Sequence, residues 1–158
     1  MKGNEKVLEV LNSLLADELT AVNQYMVHAE MADDWGYARL SEFVEKRAID
    51  EMKHAESLIG RILFLEGMPI VSNLKSIHIG DKVEKQFDND WKAEVDAIKA
   101  YNDAIKLCCA QGDHGTEALL KNILKDEEDH IDWIEAQKEQ VAQIGIQNYL
   151  AEQVKEDE

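Results

Sequence analysis

Two short stretches carry the residue types from which a metal site can be built. Ile49-Asp50-Glu51-Met52-Lys53-His54 places a glutamate and a histidine three positions apart. On a helix those two side chains project from one face, a turn from each other. Glu127-Glu128-Asp129-His130 repeats the pattern, and Glu18 and Glu94 interrupt otherwise apolar helical stripes. Glu18 precedes Glu51 by 33 residues, Glu94 precedes Glu127 by 33, and the two halves are offset by 76. Tyr25 and Tyr101 keep that offset, as do Asp50 and Asp126. The chain is therefore an internal repeat of a helix pair. Glu18, Glu51, His54, Glu94, Glu127 and His130 make the donor set of a di-iron or di-manganese carboxylate bundle. Carboxylate and imidazole donors suit iron or manganese and do not exclude zinc. The absence of thiolates from the set argues against a structural zinc site. Four carboxylates also balance the charge of two Fe(II) ions. The bland alternative is solvated acids and satisfied histidines. One Glu-x-x-His arises easily in an acidic helix; two, each preceded at the same interval by a glutamate in an apolar stripe, do not.

The neighbouring positions carry further candidates. Tyr25 and Tyr101 lie seven residues beyond their glutamates, on the same face. Each is either a core tyrosine with a bonded hydroxyl or a hydrogen-bond or electron donor to the centre. The core reading is favoured for Tyr101, and Tyr25 is kept among the candidate catalytic residues. Met52 sits about 100° from Glu51 and points away from the metal seam. Leu19, Asn23 and Met26 form a matching outer stripe, the kind of surface that marks a subunit interface. Met52 is a gap-filler there on pattern alone, though an axial haem ligand is chemically possible. His28, His78 and His114 have no ligand-like spacing and read as structural or surface residues.

Four long helices must position these groups. The first, about 5–33, has the seam Leu8, Leu11, Leu15, Glu18, Val22, Tyr25, Ala29, Ala32. Asp33-Asp34-Trp35-Gly36 ends it in a tight turn. The second, about 37–65, carries Leu40, Val44, Glu51, His54, Leu58 and Ile62 on one face. The short connection makes these two antiparallel neighbours. Glu66 to Gly80, with Gly67, Pro69, Ser72, Asn73 and Ser76, is a loop. A helix of about 28 residues is about 42 Å long, and about 15 extended residues reach about 50 Å. The loop can thus cross the bundle and start a third helix, about 81–110, parallel to the second. Thr116 opens a fourth, about 116–144, and a short fifth spans about 146–153. A segment that short is not stable alone, so it is expected to dock, a neighbouring subunit being one candidate surface. Val154 to Glu158 reads as a frayed polar tail. The expectation is one all-α domain over residues 1–158, a four-helix bundle with one long crossover.

Composition narrows the function. A net charge of −16 argues against binding nucleic-acid phosphates and suits a surface that gathers cations. Cys108 and Cys109 are the only cysteines, and adjacent helical positions do not form an intrachain bridge. A reducing compartment follows. The N-terminus has no signal-peptide core, and no apolar run reaches the roughly 20 residues of a membrane span. A cytoplasmic protein without membrane or nucleic-acid partners is expected.

The sequence resembles the bacterioferritins along essentially its whole length. The likeness rests on Met1-Lys2-Gly3, Glu18, Asn23-Gln24-Tyr25, the run from Ile49 to Ala55, the run from Arg61 to Gly67, Asp126-Glu127-Glu128, His130-Ile131-Asp132-Trp133 and Gln147-Asn148-Tyr149-Leu150. The resemblance implies a ferritin-like bundle assembled from twofold dimers into a hollow 24-subunit shell. It implies a ferroxidase centre in each subunit that oxidises Fe(II) with dioxygen or hydrogen peroxide and deposits Fe(III) as mineral. Glu51 and Glu127 would bridge two irons, Glu18 and His54 completing one and Glu94 and His130 the other. Met52 and its twofold mate would be the axial ligands of a haem b that carries electrons for iron release, with a small ferredoxin as redox partner. Some members have a histidine at position 46 that joins Asp50 in an inner-surface iron site; Lys46-Arg47 here puts that site in doubt. Two alternatives from other classes are a non-storage di-iron peroxidase or oxidase of the rubrerythrin type and a structural helical assembly that binds no metal. The Cys-rich module usual in rubrerythrins is absent from the sequence.

Overall fold

A computed structural model describes residues 1–155, so Glu156, Asp157 and Glu158 of the expected tail lie outside the described residues. The chain forms α1 (Glu5–Asp34), α2 (Ala38–Phe64), α3 (Val83–Ala110), α4 (His114–Ile144) and α5 (Ile146–Gln153). There is no strand among the described residues. No helix among them is long and apolar enough to cross a membrane. The architecture is the anticipated four-helix bundle with a short fifth helix.

Local chemistry sets the helix ends. The Asn4 side chain accepts from the N–H groups of Lys6 and Val7 at 2.8 and 3.3 Å, a cap worth about 1 kcal/mol. Gly36 at φ +84° turns the chain between α1 and α2, a conformation that suits glycine. The fourth helix starts at His114, two residues before the expected Thr116. Asp113 is its cap: its carboxylate accepts the Thr116 N–H at 2.9 Å. The third starts at Val83 rather than 81, because Lys82 is still extended.

Side-chain pairs across the bundle give the helix directions. Ser41 bonds the Ala29 carbonyl and Gly3 that of Leu65, so α1 and α2 are antiparallel. Tyr25 meets Glu94 and His28 meets Asp90, so α1 and α3 are antiparallel as well. The third helix therefore runs parallel to the second, as the loop-length argument anticipated. The crossover climbs α1 step by step. Ile70, Lys75, His78 and Gly80 donate backbone N–H groups to Asn12 Oδ1, Thr20 Oγ1, Gln24 Oε1 and His28 Nε2 at 2.8–3.1 Å.

The core is two apolar clusters. One joins Val7, Leu11, Leu15, Leu58, Ile62 and Leu120; the other joins Ala29, Leu40, Val44, Phe87, Ile134 and Tyr149. The fifth helix docks on its own chain, where a neighbouring subunit had been one expected surface. Gly145 at φ +81° redirects the backbone after α4. Tyr149 is then buried, its ring edge-on to Phe87 and its hydroxyl donating to Gln137 at 2.7 Å.

Candidate metal centre

Between the two apolar clusters lies a layer of six polar side chains. Glu18 comes from α1, Glu51 and His54 from α2, Glu94 from α3, and Glu127 and His130 from α4; none is more than 5% exposed. They form two overlapping groups of four: Glu18, Glu51, His54 and Glu127, and Glu51, Glu94, Glu127 and His130. Within each, one donor atom per residue lies within 4.8 Å of the others. Glu51 and Glu127 belong to both, which is where carboxylates shared by two cations would sit. His54 Nδ1 is 3.0 Å from Glu127, 3.3 Å from Glu51 and 3.6 Å from Glu18. His130 Nδ1 is 2.8 Å from Glu51 and 3.6 Å from both Glu94 and Glu127.

These short distances are mostly not good hydrogen bonds. Glu18 Oε2, Glu51 Oε1, Glu94 Oε2, Glu127 Oε1 and His130 Nδ1 are buried without an aligned partner. Unsatisfied buried polar atoms cost about 1–3 kcal/mol each and are rare in native proteins. Five aimed at common points fit one or two cations as the missing partner. The charge balance agrees. Burial, then repulsion from neighbouring carboxylates, pushes the Glu51 and Glu94 carboxyls well above the usual range. Burial raises that of Glu18 too, partly offset by Glu51 and His54. Burial also opposes the charge on Glu127, but its close approach to Glu94, His54 and Glu51 and the charge of His54 hold its carboxyl low. Burial disfavours a charged His54, yet Glu127 and Glu18 push its imidazole up to about 11. Four acids in one buried layer need positive charge or protons, and a cation would displace the protons.

Around the six lie groups that hold them. The Tyr25 hydroxyl donates to Glu94 and the Tyr101 hydroxyl to Glu18, each across the pseudo-twofold repeat. Burial, then the Glu94 charge for Tyr25 and the Glu18 charge for Tyr101, keeps both phenols protonated. Tyr101 is thus a core tyrosine that also touches the centre, in the same way as Tyr25. The sequence marked Asp126 and Asp50 by their common offset and by the resemblance, but gave neither a place beside the histidines. His54 Nε2 is 2.9 Å from Asp126, and His130 Nε2 is 3.4 Å from Asp50. Asp126 thereby turns the His54 Nδ1 toward the centre, a usual arrangement for a metal-binding histidine. A third group was missed. Asp90 accepts from Gln24 at 2.8 Å and meets His28 Nδ1 at 2.9 Å, and Gln24 and His28 in turn anchor the crossover. Uncharged Gln24 carries no spacing signal.

A cavity of about 400 Å³ lies between α1, α3 and the crossover. Glu18, Glu51, Glu94 and Glu127 line its inner end; Asp17 and Lys75, which pair with each other, and Asp96 line its outer part. Met52 is not part of the centre. It lies on the opposite side of α2, 44% exposed, with exposed Met26 and Ile49. Arg47 lies over the Trp133 ring at 5.7 Å, which gives that basic residue a packing role.

A bundle of two helical hairpins around six buried carboxylate and imidazole groups defines a ferritin-like protein. The model of the Ferritin-like domain family matches residues 8–144. A bacterioferritin of Mycolicibacterium paratuberculosis is 40% identical over 152 residues, covering 96% of each chain. One from Brucella melitensis is 42% identical over 149 residues, or 94% of this chain and 92% of its own. One from Rhodobacter capsulatus is 38% identical over the same shares. The chain belongs to the bacterioferritin family.

Proposed function

We propose that this protein stores iron, and that each chain is a ferroxidase. The observation that carries the reading is the set of five partnerless buried donor atoms shared by two overlapping carboxylate–histidine groups. Fe(II) is the substrate. Two ions bound side by side give one electron each to dioxygen or hydrogen peroxide, and the Fe(III) passes to a mineral.

The chain's own residues prepare that chemistry. Glu51 and Glu127 stand between the two places; Glu18 with His54 serves one and Glu94 with His130 the other. Protons held on Glu51, Glu94 and His54 leave as Fe(II) enters, so four acids are tolerated before and after binding. Tyr25 and Tyr101 donate hydrogen bonds to Glu94 and Glu18 and so hold these terminal carboxylates in orientation. The cavity under the crossover supplies a path; at its outer part Asp17 and Asp96 are paired with Lys75 and Lys92.

The outer face of α1 and α2 supports assembly. Met26, Ile49 and Met52 leave apolar surface that a second copy would cover. Met52 fits a haem ligand there: a thioether on an exposed apolar face, available to pair with the same residue of a second copy. Haem b so held would supply electron transfer for iron release, and a small ferredoxin is its expected donor. The assembly expected is a 24-subunit shell in the cytoplasm.

Stopped-flow Fe(II) oxidation tests the reading. A fast phase at two Fe(II) per chain is expected, followed by a slower phase that builds a mineral retained by the shell. Saturation at two with peroxide turnover and no mineral would instead indicate the rubrerythrin-type chemistry. Absence of any fast phase would leave a structural assembly. An optical spectrum with haem bands that vanish in Met52→Leu tests the ligand; bands that persist refute it.

A further inference from the structure

The turn between α3 and α4 gathers three different metal-binding side chains outside the bundle centre. Cys109 lies at the end of α3, His114 opens α4, and Glu117 follows one turn later. One donor atom from each lies within 4.8 Å of the other two. The backbone beneath them is fixed. Gln111, Gly112 and Asp113 donate to the carbonyls of Leu107, Cys109 and Cys108 at 2.9–3.0 Å. Arg61 reaches across from α2 to Asp113 at 3.1 Å and to Thr116 at 2.9 Å. The turn therefore holds its shape without help from a ligand.

The side chains are also partly arranged. The Glu117 side chain is only 14% exposed and is gripped from two sides. Its Oε2 is 2.9 Å from His114 Nδ1, and its Oε1 is 2.8 Å from Lys121 Nζ. Lys121 can keep Oε1 while Oε2 serves another cation. Of the two thiols, Cys108 is buried in the core and Cys109 is exposed, so one is usable. Donors on a tetrahedral ion with metal–ligand bonds of about 2.0–2.3 Å stand about 3.3–3.8 Å apart. The three donors need only small adjustments to reach that spacing.

We propose that Cys109, His114 and Glu117 form a second cation site for a thiophilic divalent ion of the zinc type. It is independent of the bundle centre and of the function proposed for it. The bundle centre is all carboxylate and imidazole, whereas this one adds a thiolate, which favours zinc or cobalt over magnesium or calcium. Three protein donors leave a fourth position for water. Binding expels the Cys109 thiol proton, and any proton shared by His114 and Glu117, to solvent. The acidic surface of a chain with net charge −16 raises the local concentration of such ions.

Co(II) titration of the whole assembled protein is the test, because only a sulfur ligand gives an intense thiolate-to-cobalt band in the near ultraviolet. The bundle centre has no sulfur and cannot produce that band. We expect a band that saturates at one Co(II) per turn site, disappears in Cys109→Ser and in the double variant His114→Ala, Glu117→Gln, and survives in Glu94→Gln. Cobalt uptake without the band, or a band that survives Cys109→Ser, overturns the proposal. A second measurement needs no variant to fold. Zn(II) should slow alkylation of Cys109 by N-ethylmaleimide, and labelling at an unchanged rate with Zn(II) in excess counts against the site.

Discussion

Asp126 touches no metal position, yet it should set the affinity of one. Its carboxylate accepts from His54 Nε2 at 2.9 Å, which leaves Nδ1 facing Glu18, Glu51 and Glu127. The related contact on the other side, from His130 Nε2 to Asp50, is 3.4 Å long. A hydrogen bond to a charged group contributes about 1.5–3 kcal/mol. The Asp126 side chain is 56% exposed, so water replaces part of what is lost and the low end applies. At 1.4 kcal/mol per decade, Asp126→Ala should weaken one of the two cation positions about tenfold, the lower limit usual for such outer partners. Asp126→Asn keeps an acceptor oxygen and should lose less. Asp50→Ala should lose less than Asp126→Ala, because its contact is longer.

The assay is competition for Co(II) between the protein and a coloured chelator, fitted to two positions per chain after correction for the turn site in a Cys109→Ser background. The expected isotherm for Asp126→Ala has one weakened step and one unchanged. Two unchanged steps would show that Asp126 does not position His54. A larger loss in Asp50→Ala than in Asp126→Ala would show that contact length is a poor guide to the two histidines.

Three further outcomes follow from the geometry. Leu58 is fully buried in the cluster at the amino-terminal end of α1, so Leu58→Ala should cost about 2–5 kcal/mol in urea denaturation, with the donor residues untouched. Glu51→Gln removes one of four acids that share a buried layer; in a Cys109→Ser background it should raise the stability of the chelator-treated protein and abolish stabilisation by added Co(II), both read from melting curves. Although partial burial opposes the charge on Asp113, hydrogen bonds from Thr116 and the charge of Arg61 hold its carboxyl below the usual range. Its contribution is present above the unfolded value of about 3.9 and fades as pH falls through the lower folded value. The stability gap between the wild type and Asp113→Asn should thus be flat above about pH 5 and narrow below about pH 4.

The six-residue cluster was legible because a repeat is hard to hide. Glu18 and Glu94 stand where the 3.5-residue period calls for hydrophobes, and each foretells a Glu-x-x-His at the same distance. All six side chains then meet in one buried layer. What surrounds them was less legible, for physical reasons. Asp126 kept the same offset as Asp50, but half-exposed acids are common on an acidic helix, and only the three-dimensional crossing of α2 and α4 brings it to His54. Gln24 and Asp90 sit in ordinary helical positions, and their meeting depends on the register between α1 and α3. The start of α4 was misplaced because Thr116 and Asp113 are both good caps; the structure uses the Asp113 carboxylate for the Thr116 N–H. The docking of α5 was open because the short helix carries one large anchor, Tyr149, and nothing in its spacing says whose surface receives it.

The repeat also explains why the centre requires both hairpins. Tyr25 on α1 holds Glu94 on α3, and Tyr101 on α3 holds Glu18 on α1. His54 on α2 leans on Asp126 of α4, and His130 on α4 approaches Asp50 of α2. Each of these contacts runs from one hairpin to the other, so each hairpin helps arrange the other's side chains. The acids repel while the hairpins are held together by the apolar clusters above and below them. A cation shared by Glu51 and Glu127 would join α2 to α4 and turn that repulsion into a bond between the halves. Metal binding and docking of the hairpins are then one equilibrium, and ligand binding to the docked form alone must stabilise it by mass action.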